Sequence, residues 1–177
     1  MNREEIMRII PHRPPMLLVD EAEKTDENSC RGSYTVKGDE WFLQGHFPGK
    51  PTVPGVVLCE MMGQACAVIL ADKVQGSIPY FTGIKNAKFK HPVLPGDTLE
   101  IECAMTKNRG AFYFAEGKGS VNGKVCVQAE FSFELVTKVS QAVHVNPCNT
   151  CCKKFYTFYF YNLIHNIAKR LFGSFAL

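Results

Sequence analysis

Two side chains that can transfer protons, His46 and Glu60, lie close together in the sequence. His46 lies in a turn rich in glycine and proline, whereas Glu60 lies inside an apolar run from Val56 to Ala71. Burial deprives an ionised carboxylate of hydration, so a glutamate there can hold a proton near neutral pH, as a general acid must. Imidazole is a base in the same pH range. The pair therefore suggests acid–base chemistry, and the alternative is a structural glutamate paired with a buried lysine or arginine.

The apolar run predicts a buried helix that carries the acid. Pro54 and Gly55 suit a helix start, and Glu60 and Gln64, four residues apart, fall on one helical face a turn from each other. The other positions are apolar on all sides, which is typical of a helix enclosed by other elements. A membrane span is the rival interpretation, but the run is short for one and polar residues interrupt it.

Three blocks of sequence carry a family resemblance. The pattern G-H-F-P-G-x-P-x-x-P-G-V-x-x-x-E-x-x-x-Q, from Gly45 to Gln64, resembles the signature of FabZ-type 3-hydroxyacyl-[acyl-carrier-protein] dehydratases. PHRPPMLLVD (11–20) and FTGIKNAKFKHPVLPGD (81–97) are similar to further blocks of that family. The blocks are in the family's order and cover most of residues 5–137. The resemblance implies a hotdog fold, an α+β architecture in which a curved antiparallel sheet wraps a long central helix.

The resemblance also implies a reaction and roles. The reaction is dehydration of (3R)-3-hydroxyacyl-[acyl-carrier-protein] to the trans-2-enoyl product in type II fatty acid biosynthesis. His46 would be the base and Glu60 the acid. The backbone N–H groups of Gly55 and Val56 would receive the thioester oxygen, and Gln64 would orient the carboxyl group. We expect no metal and no organic cofactor, since the thioester already acidifies the proton removed.

The substrate would be an acyl chain carried by an acidic protein. We expect Phe47, Tyr80 and Phe81 to line an apolar tunnel, with Tyr80 either gating it or serving as an ordinary strand aromatic. Candidate docking residues for the acyl carrier protein are the basic side chains Lys85, Lys88, Lys90 and Arg109, although exposed charges on strands are often only solvated.

The family implies assembly, and two other functions stay open. We expect a homodimer in which His46 and Glu60 of one site come from different subunits, and further assembly into a hexamer as a trimer of dimers. The alternatives are a hotdog thioesterase, which would hydrolyse the thioester, and a noncatalytic acyl-thioester-binding module. Related FabA-type isomerases carry aspartate where this chain has Glu60, so isomerase activity is not predicted.

Composition narrows the class of protein. The 177 residues are 46% hydrophobic, which suits one soluble domain of ordinary size. Residues 1–137 contain 15 basic and 17 acidic residues, a balance without the basic footprint of a nucleic-acid-binding protein. The N-terminus lacks the long apolar core of a signal peptide, and five cysteines lie in or beside apolar runs. We therefore expect a reducing, cytoplasmic environment.

The alternation of apolar residues predicts the strands around the helix. A capping box at Asn2 predicts a short first helix, and Asn122-Gly123 predicts a tight hairpin. The His12-Arg13 pair is interpreted as a hydrogen-bonded turn. The predicted strands are 16–23, 29–36, 80–89, 98–105, 111–121 and 124–136.

A C-terminal extension differs from the rest of the chain. We place the dehydratase domain at 1–138 and an aromatic, basic extension at 139–177. The extension is either partly disordered or an amphipathic helix, and contact with a membrane surface or a partner is a less favoured possibility than a nonfunctional addition. A zinc site is only weakly indicated by His144, Cys148, Cys151 and Cys152.

Overall fold

The computed structural model describes residues 1–74 and 76–137. The extension at 139–177, with its amphipathic-helix, membrane and zinc hypotheses, lies outside the described residues. Within them, one long helical stretch packs against a six-stranded antiparallel sheet, the arrangement of the hotdog fold predicted from the sequence.

The chain opens with the predicted capped helix, α1 (Arg3–Ile9). The Asn2 side chain accepts a hydrogen bond from the Glu5 N–H, while the Glu5 carboxylate accepts one from the Asn2 N–H. This reciprocal pair satisfies two amide donors that the first helical turn leaves free. The capping box is therefore confirmed.

The sheet has the spatial order β1-β2-β4-β5-β6-β3, and every neighbouring pair is antiparallel. Asn122 and Gly123 join β5 to β6 with positive φ angles of 50° and 74°, as a tight two-residue hairpin requires. The shortest strand, β1, and the long β3 form the two edges. The strands are β1 (Glu21–Lys24), β2 (Ser29–Thr35), β3 (Ser77–Phe89), β4 (Thr98–Arg109), β5 (Phe112–Val121) and β6 (Lys124–Thr137).

The central helix, α2 (Gly55–Ala67), continues through a 3-10 turn (Val68–Leu70) into α3 (Ala71–Val74). The segment Gly55–Val74 is 20 residues long and apolar enough to span a membrane by length and composition. However, 61% of its most apolar window is buried inside the protein, and α2 packs against β2, β4, β5 and β6. The helix thus forms the core of the domain, because its apolar residues face the sheet.

The predicted first strand is wrong over most of its length. Only Glu21–Lys24 pairs as β1, whereas Leu17, Leu18 and Val19 are buried beside the core without joining the sheet. The physical reason is that the Gln64 side chain of α2 forms hydrogen bonds with the backbone of Leu18 and Met16, so a neighbouring strand does not. The alternation of apolar residues correctly predicted that this segment is buried, but it did not predict which group forms hydrogen bonds with its backbone.

The five cysteines of the described chain behave as small hydrophobic residues. All are free and buried, and two donate to carbonyl groups of α2, Cys30 to Ala65 at 3.3 Å and Cys103 to Met62 at 3.4 Å. Burial, with a smaller contribution from Glu60, raises the pKa of Cys59 to about 12. The Cys59 thiol therefore stays protonated and unreactive near neutral pH.

Glu40 organises the turn that leads to His46. Its carboxylate accepts hydrogen bonds from the backbone N–H groups of Lys37 at 2.7 Å and Gly38 at 2.8 Å, just before the 3-10 turn Trp41–Leu43. Partial burial acts to raise the pKa of Glu40, but the two backbone N–H groups prevail and lower it below its ordinary value of 4.5. The ionised carboxylate therefore stabilises this turn.

The lowered pKa of Glu40 predicts a pH-dependent loss of stability. The stabilisation is fully present above about pH 4.5, the unfolded-state value, and is lost as the pH falls through the lower folded-state value. We expect Glu40→Gln to lower the free energy of unfolding by ~1 kcal/mol near neutral pH, and by less in acid. Urea unfolding at both pH values measures this, with the exposed Glu100→Gln as control. An equal difference at both pH values would contradict the assignment.

Candidate active site

Glu60 projects from the second turn of α2 and is the only acidic residue of that helix. Its side chain is 23% exposed, so it opens to the surface rather than being enclosed as the apolar run suggested. Within the described residues no lysine or arginine pairs with it, which removes the structural ion pair considered above. The groups that contact the carboxylate are Gln64 and His12, both at Oε1.

Gln64 is held in one orientation by three hydrogen bonds. The residue is only 2% exposed. Its Oε1 accepts from the Leu18 N–H at 2.8 Å, and its Nε2 donates to the Met16 carbonyl and to Glu60 Oε1, each at 2.8 Å. The Leu18 donor determines which end of the amide is oxygen. The two Nε2 hydrogens are then both committed, one of them to Glu60, which is the contact that the expected orienting role requires.

His12 is a site residue that the sequence interpretation missed. Arg13 does form the expected turn, since its guanidinium donates to the carbonyls of Ile10 and His12. The His12 ring instead lies against α2, where its Nε2 is 3.4 Å from Glu60 Oε1. The family resemblance of residues 11–20 was the available signal for a role of His12. The spacing of these residues does not predict that the ring lies beside a helix so distant in the sequence.

The His46 ring is oriented by the backbone of its own loop. Its Nδ1 lies 2.8 Å from the Thr52 carbonyl, while the His46 carbonyl accepts from the Thr52 N–H at 2.8 Å. A carbonyl oxygen can only accept, so the hydrogen must be on Nδ1. In neutral His46 the free lone pair is therefore on Nε2, and that nitrogen can act as a base. The Phe47 ring stacks on the imidazole with a centroid distance of 4.1 Å and is 58% exposed.

The N-terminus of α2 offers free amide groups. Pro54 caps the helix without a side-chain hydrogen bond, and its carbonyl accepts from Val57 and Leu58. The N–H groups of Gly55 and Val56 donate to no other described residue. An added Cβ at Gly55 would lie 2.7 Å from Cε1 of Phe89. A larger residue at position 55 would therefore have to displace the Phe89 ring.

His46 and Glu60 have different contacts within one chain. No hydrogen bond or ion pair joins them among the described residues, and a cavity of about 560 Å³ along the sheet is lined by neither of them. The His46 ring is thus held by Thr52, and the Glu60 carboxylate is held by Gln64.

Most of the expected tunnel and docking residues lie on β3 or directly after it, whereas Phe47 lies in the His46 loop and Arg109 lies on β4. Phe81 packs on α2, where an added Cβ at Gly63 would lie 2.3 Å from its ring, whereas Tyr80 is exposed. Three of the four basic candidates follow each other along the β3 edge of the sheet. Arg109 lies elsewhere, because the strand register places it level with Tyr80. It is therefore about 25 Å from Lys88 along the strand direction. The edge group is Lys85, Lys88 and Lys90.

The hydrogen bonds of Gln64 predict a large effect on stability. Gln64→Leu leaves the Leu18 N–H and the Met16 carbonyl buried without a partner, so we expect the free energy of unfolding to fall by about 2–4 kcal/mol. Glu60→Gln preserves an acceptor for Gln64, and we expect it to change that free energy by less than about 1 kcal/mol. Urea unfolding compares the two variants. Equal stabilities would refute the bridging role of Gln64.

The sequence of this chain is similar to those of known proteins. The FabA-like domain family matches residues 10–130. A 3-hydroxyacyl-[acyl-carrier-protein] dehydratase FabZ from Clostridium tetani is 44% identical over 133 residues, 73% of this chain and 94% of the relative. The FabZ from Fusobacterium nucleatum is 44% identical over 131 residues, 73% of this chain and 93% of the relative.

Solved structures resemble the fold. The dehydratase heterocomplex ApeI:P from Xenorhabdus doucetiae aligns with a TM-score of 0.67 at 23% identity, covering 75% of this chain and 91% of that one. A hypothetical thioesterase with coenzyme A from Streptococcus pneumoniae aligns with a TM-score of 0.52 at 13% identity, covering 68% and 88%. At these identities the structures establish the fold alone. The family match and the FabZ relatives together show that the chain belongs to the FabA-like domain family, as a FabZ-type 3-hydroxyacyl-[acyl-carrier-protein] dehydratase.

Proposed function

We propose that this chain dehydrates (3R)-3-hydroxyacyl-[acyl-carrier-protein] to the trans-2-enoyl thioester in type II fatty acid biosynthesis. The observation that carries the proposal is the state of the two proton-transfer groups. The Nδ1 of His46 is committed to a carbonyl oxygen, which leaves Nε2 as a base. Glu60 is held by its neighbours through one oxygen only.

The reaction needs a base at one end of a carbon–carbon bond and an acid at the other end. His46 Nε2 takes the proton from the carbon next to the thioester carbonyl. The electron pair of that C–H bond becomes the new double bond, and the C–O bond to the hydroxyl breaks. Glu60 supplies a proton to the departing hydroxyl, directly or through a water, so that it leaves as water. The proton on His46 then returns to Glu60 through solvent, and no oxidant or reductant is consumed.

Negative charge gathers on the thioester oxygen as the proton is removed. The N–H groups of Gly55 and Val56, which have no acceptor among the described residues, are suited to receive this oxygen, because a helix N-terminus combines free donors with a favourable dipole. Preorganised donors of this type are often the largest single contribution to a rate enhancement.

We infer that the working site is shared between subunits. No hydrogen bond or ion pair joins His46 to Glu60 among the described residues, and the long strand β3 lies at one edge of the sheet. A dimer joined along that edge would bring together two sites, each with the base of one subunit and the acid of the other. Further assembly as a trimer of dimers, and a cytoplasmic location, belong to the same proposal.

The acyl carrier protein is the proposed partner. Phe47, Phe81 and Tyr80 would shelter the acyl chain, with Tyr80 at the exposed end. Lys85, Lys88 and Lys90 give the β3 edge a positive charge that suits an acidic carrier. Arg109, at the far end of the sheet, would contribute to a different part of that contact.

Removal of either proton-transfer group should abolish turnover. We expect His46→Ala and Glu60→Gln each to lower kcat by about 10²–10⁴-fold. The measurement follows enoyl absorbance when a 3-hydroxyacyl- or crotonoyl-[acyl-carrier-protein] is offered, together with an assay for released thiol. Release of thiol by the wild-type protein would identify a thioesterase instead. Tight acyl binding without turnover would indicate a noncatalytic binding module.

The shared site predicts complementation between inactive variants. In a mixed dimer, one site has neither functional group while the other has an intact His46 and an intact Glu60. Random reassembly of equal amounts of His46→Ala and Glu60→Gln should therefore restore about a quarter of the wild-type activity. Each variant refolded alone is the control. Failure to recover activity, with mixed dimers verified by native mass spectrometry, would place the site within one chain.

A further inference from the structure

The His12 ring combines one buried nitrogen with one that faces the proposed acid. Its Nε2 lies 3.4 Å from Glu60 Oε1. Its Nδ1 is buried, and no described protein group lies within hydrogen-bond distance of it. Because Nδ1 is already buried within the single chain, another subunit cannot reach it.

The surroundings of the two ring nitrogens do not suit the imidazolium and the two neutral tautomers equally well. The imidazolium would donate from both nitrogens and would bury an N–H without an acceptor. The neutral ring with hydrogen on Nδ1 would bury the same unpaired donor and turn a lone pair toward Glu60 Oε1, which already accepts from Gln64. The neutral ring with hydrogen on Nε2 avoids both faults, since orphaned buried N–H groups are rarer than under-satisfied acceptors.

We propose that His12 is a neutral positioning residue that donates from Nε2 to Glu60 Oε1 and thereby assigns the catalytic proton to Oε2. The proposal rests on the acid role of Glu60 proposed above. With Gln64 and His12 both aimed at Oε1, that oxygen is an acceptor in either protonation state of the carboxyl group. Among the described residues, no donor contacts Oε2, so it remains available to hold the proton and to face substrate.

The 3.4 Å contact is longer than a formed hydrogen bond. Catalytic hydrogen bonds are often long in ligand-free sites and tighten when the reacting complex forms. His12 therefore acts on the rate of the chemical step through Glu60, and contributes little to substrate binding itself.

The kinetic test compares a variant that removes the His12 hydrogen-bond donor with a variant that replaces it by an amide donor. We expect His12→Phe to lower kcat about tenfold, with KM changed less than twofold. His12→Gln, whose amide nitrogen can reach the position of Nε2, should recover most of that loss. Equal losses in the two variants at equal stability in urea would overturn the donor role, as would an unchanged kcat in His12→Phe.

A spectroscopic test reports the tautomer without reference to activity. Long-range ¹H–¹⁵N correlation spectra of the full chain at neutral pH, with the His12 signals assigned from their absence in His12→Gln, should show a protonated Nε2 and an unprotonated Nδ1. An imidazolium pattern or the opposite tautomer would overturn the proposal. An active Glu60→Gln would refute the acid role and this proposal with it. An inactive Glu60→Gln beside a fully active His12→Phe would refute this proposal alone.

Discussion

The buried side-chain amide of Gln64 ties the site to the fold. One end accepts from Leu18, and the other donates to Met16 and to Glu60. The central helix is thereby fixed to the segment before β1 through backbone groups that would otherwise be buried without partners. The same amide directs one oxygen of the acid. Stability and the geometry of the acid thus depend on a single residue, and a substitution that loosens one will disturb the other.

The surroundings of the two histidines favour opposite tautomers for different reasons. A backbone carbonyl holds the hydrogen of His46 on Nδ1 and leaves Nε2 bare. For His12, the lack of a protein partner at the buried Nδ1 favours hydrogen on Nε2, the nitrogen beside Glu60. In the proposed mechanism, His46 takes a proton from substrate, while His12 donates to the acceptor oxygen of the acid.

Much of the fold and part of the site could be predicted from local signals. The capping box at Asn2, the Asn122-Gly123 hairpin and the buried helix around Glu60 all follow from short-range rules, and the structure has each of them. The wrong strand at 16–20 and the missed contact of His12 have a common cause. Both depend on hydrogen bonds or contacts to α2, more than forty positions away, and no local pattern encodes such a partner.

The central claim is that a base at His46 and an acid at Glu60 act on opposite ends of one carbon–carbon bond, with the thioester oxygen at the start of α2. The most direct measurement is a crystal structure of the assembled protein with a nonreactive 3-hydroxyacyl-pantetheine analogue. We predict the carbonyl oxygen within about 3 Å of the Gly55 or Val56 N–H, as in other oxyanion sites. We also predict the α-carbon beside His46 Nε2 and the hydroxyl beside Glu60 Oε2 of another subunit. A hydroxyl remote from Glu60, or a water poised on the thioester carbon, would contradict the account.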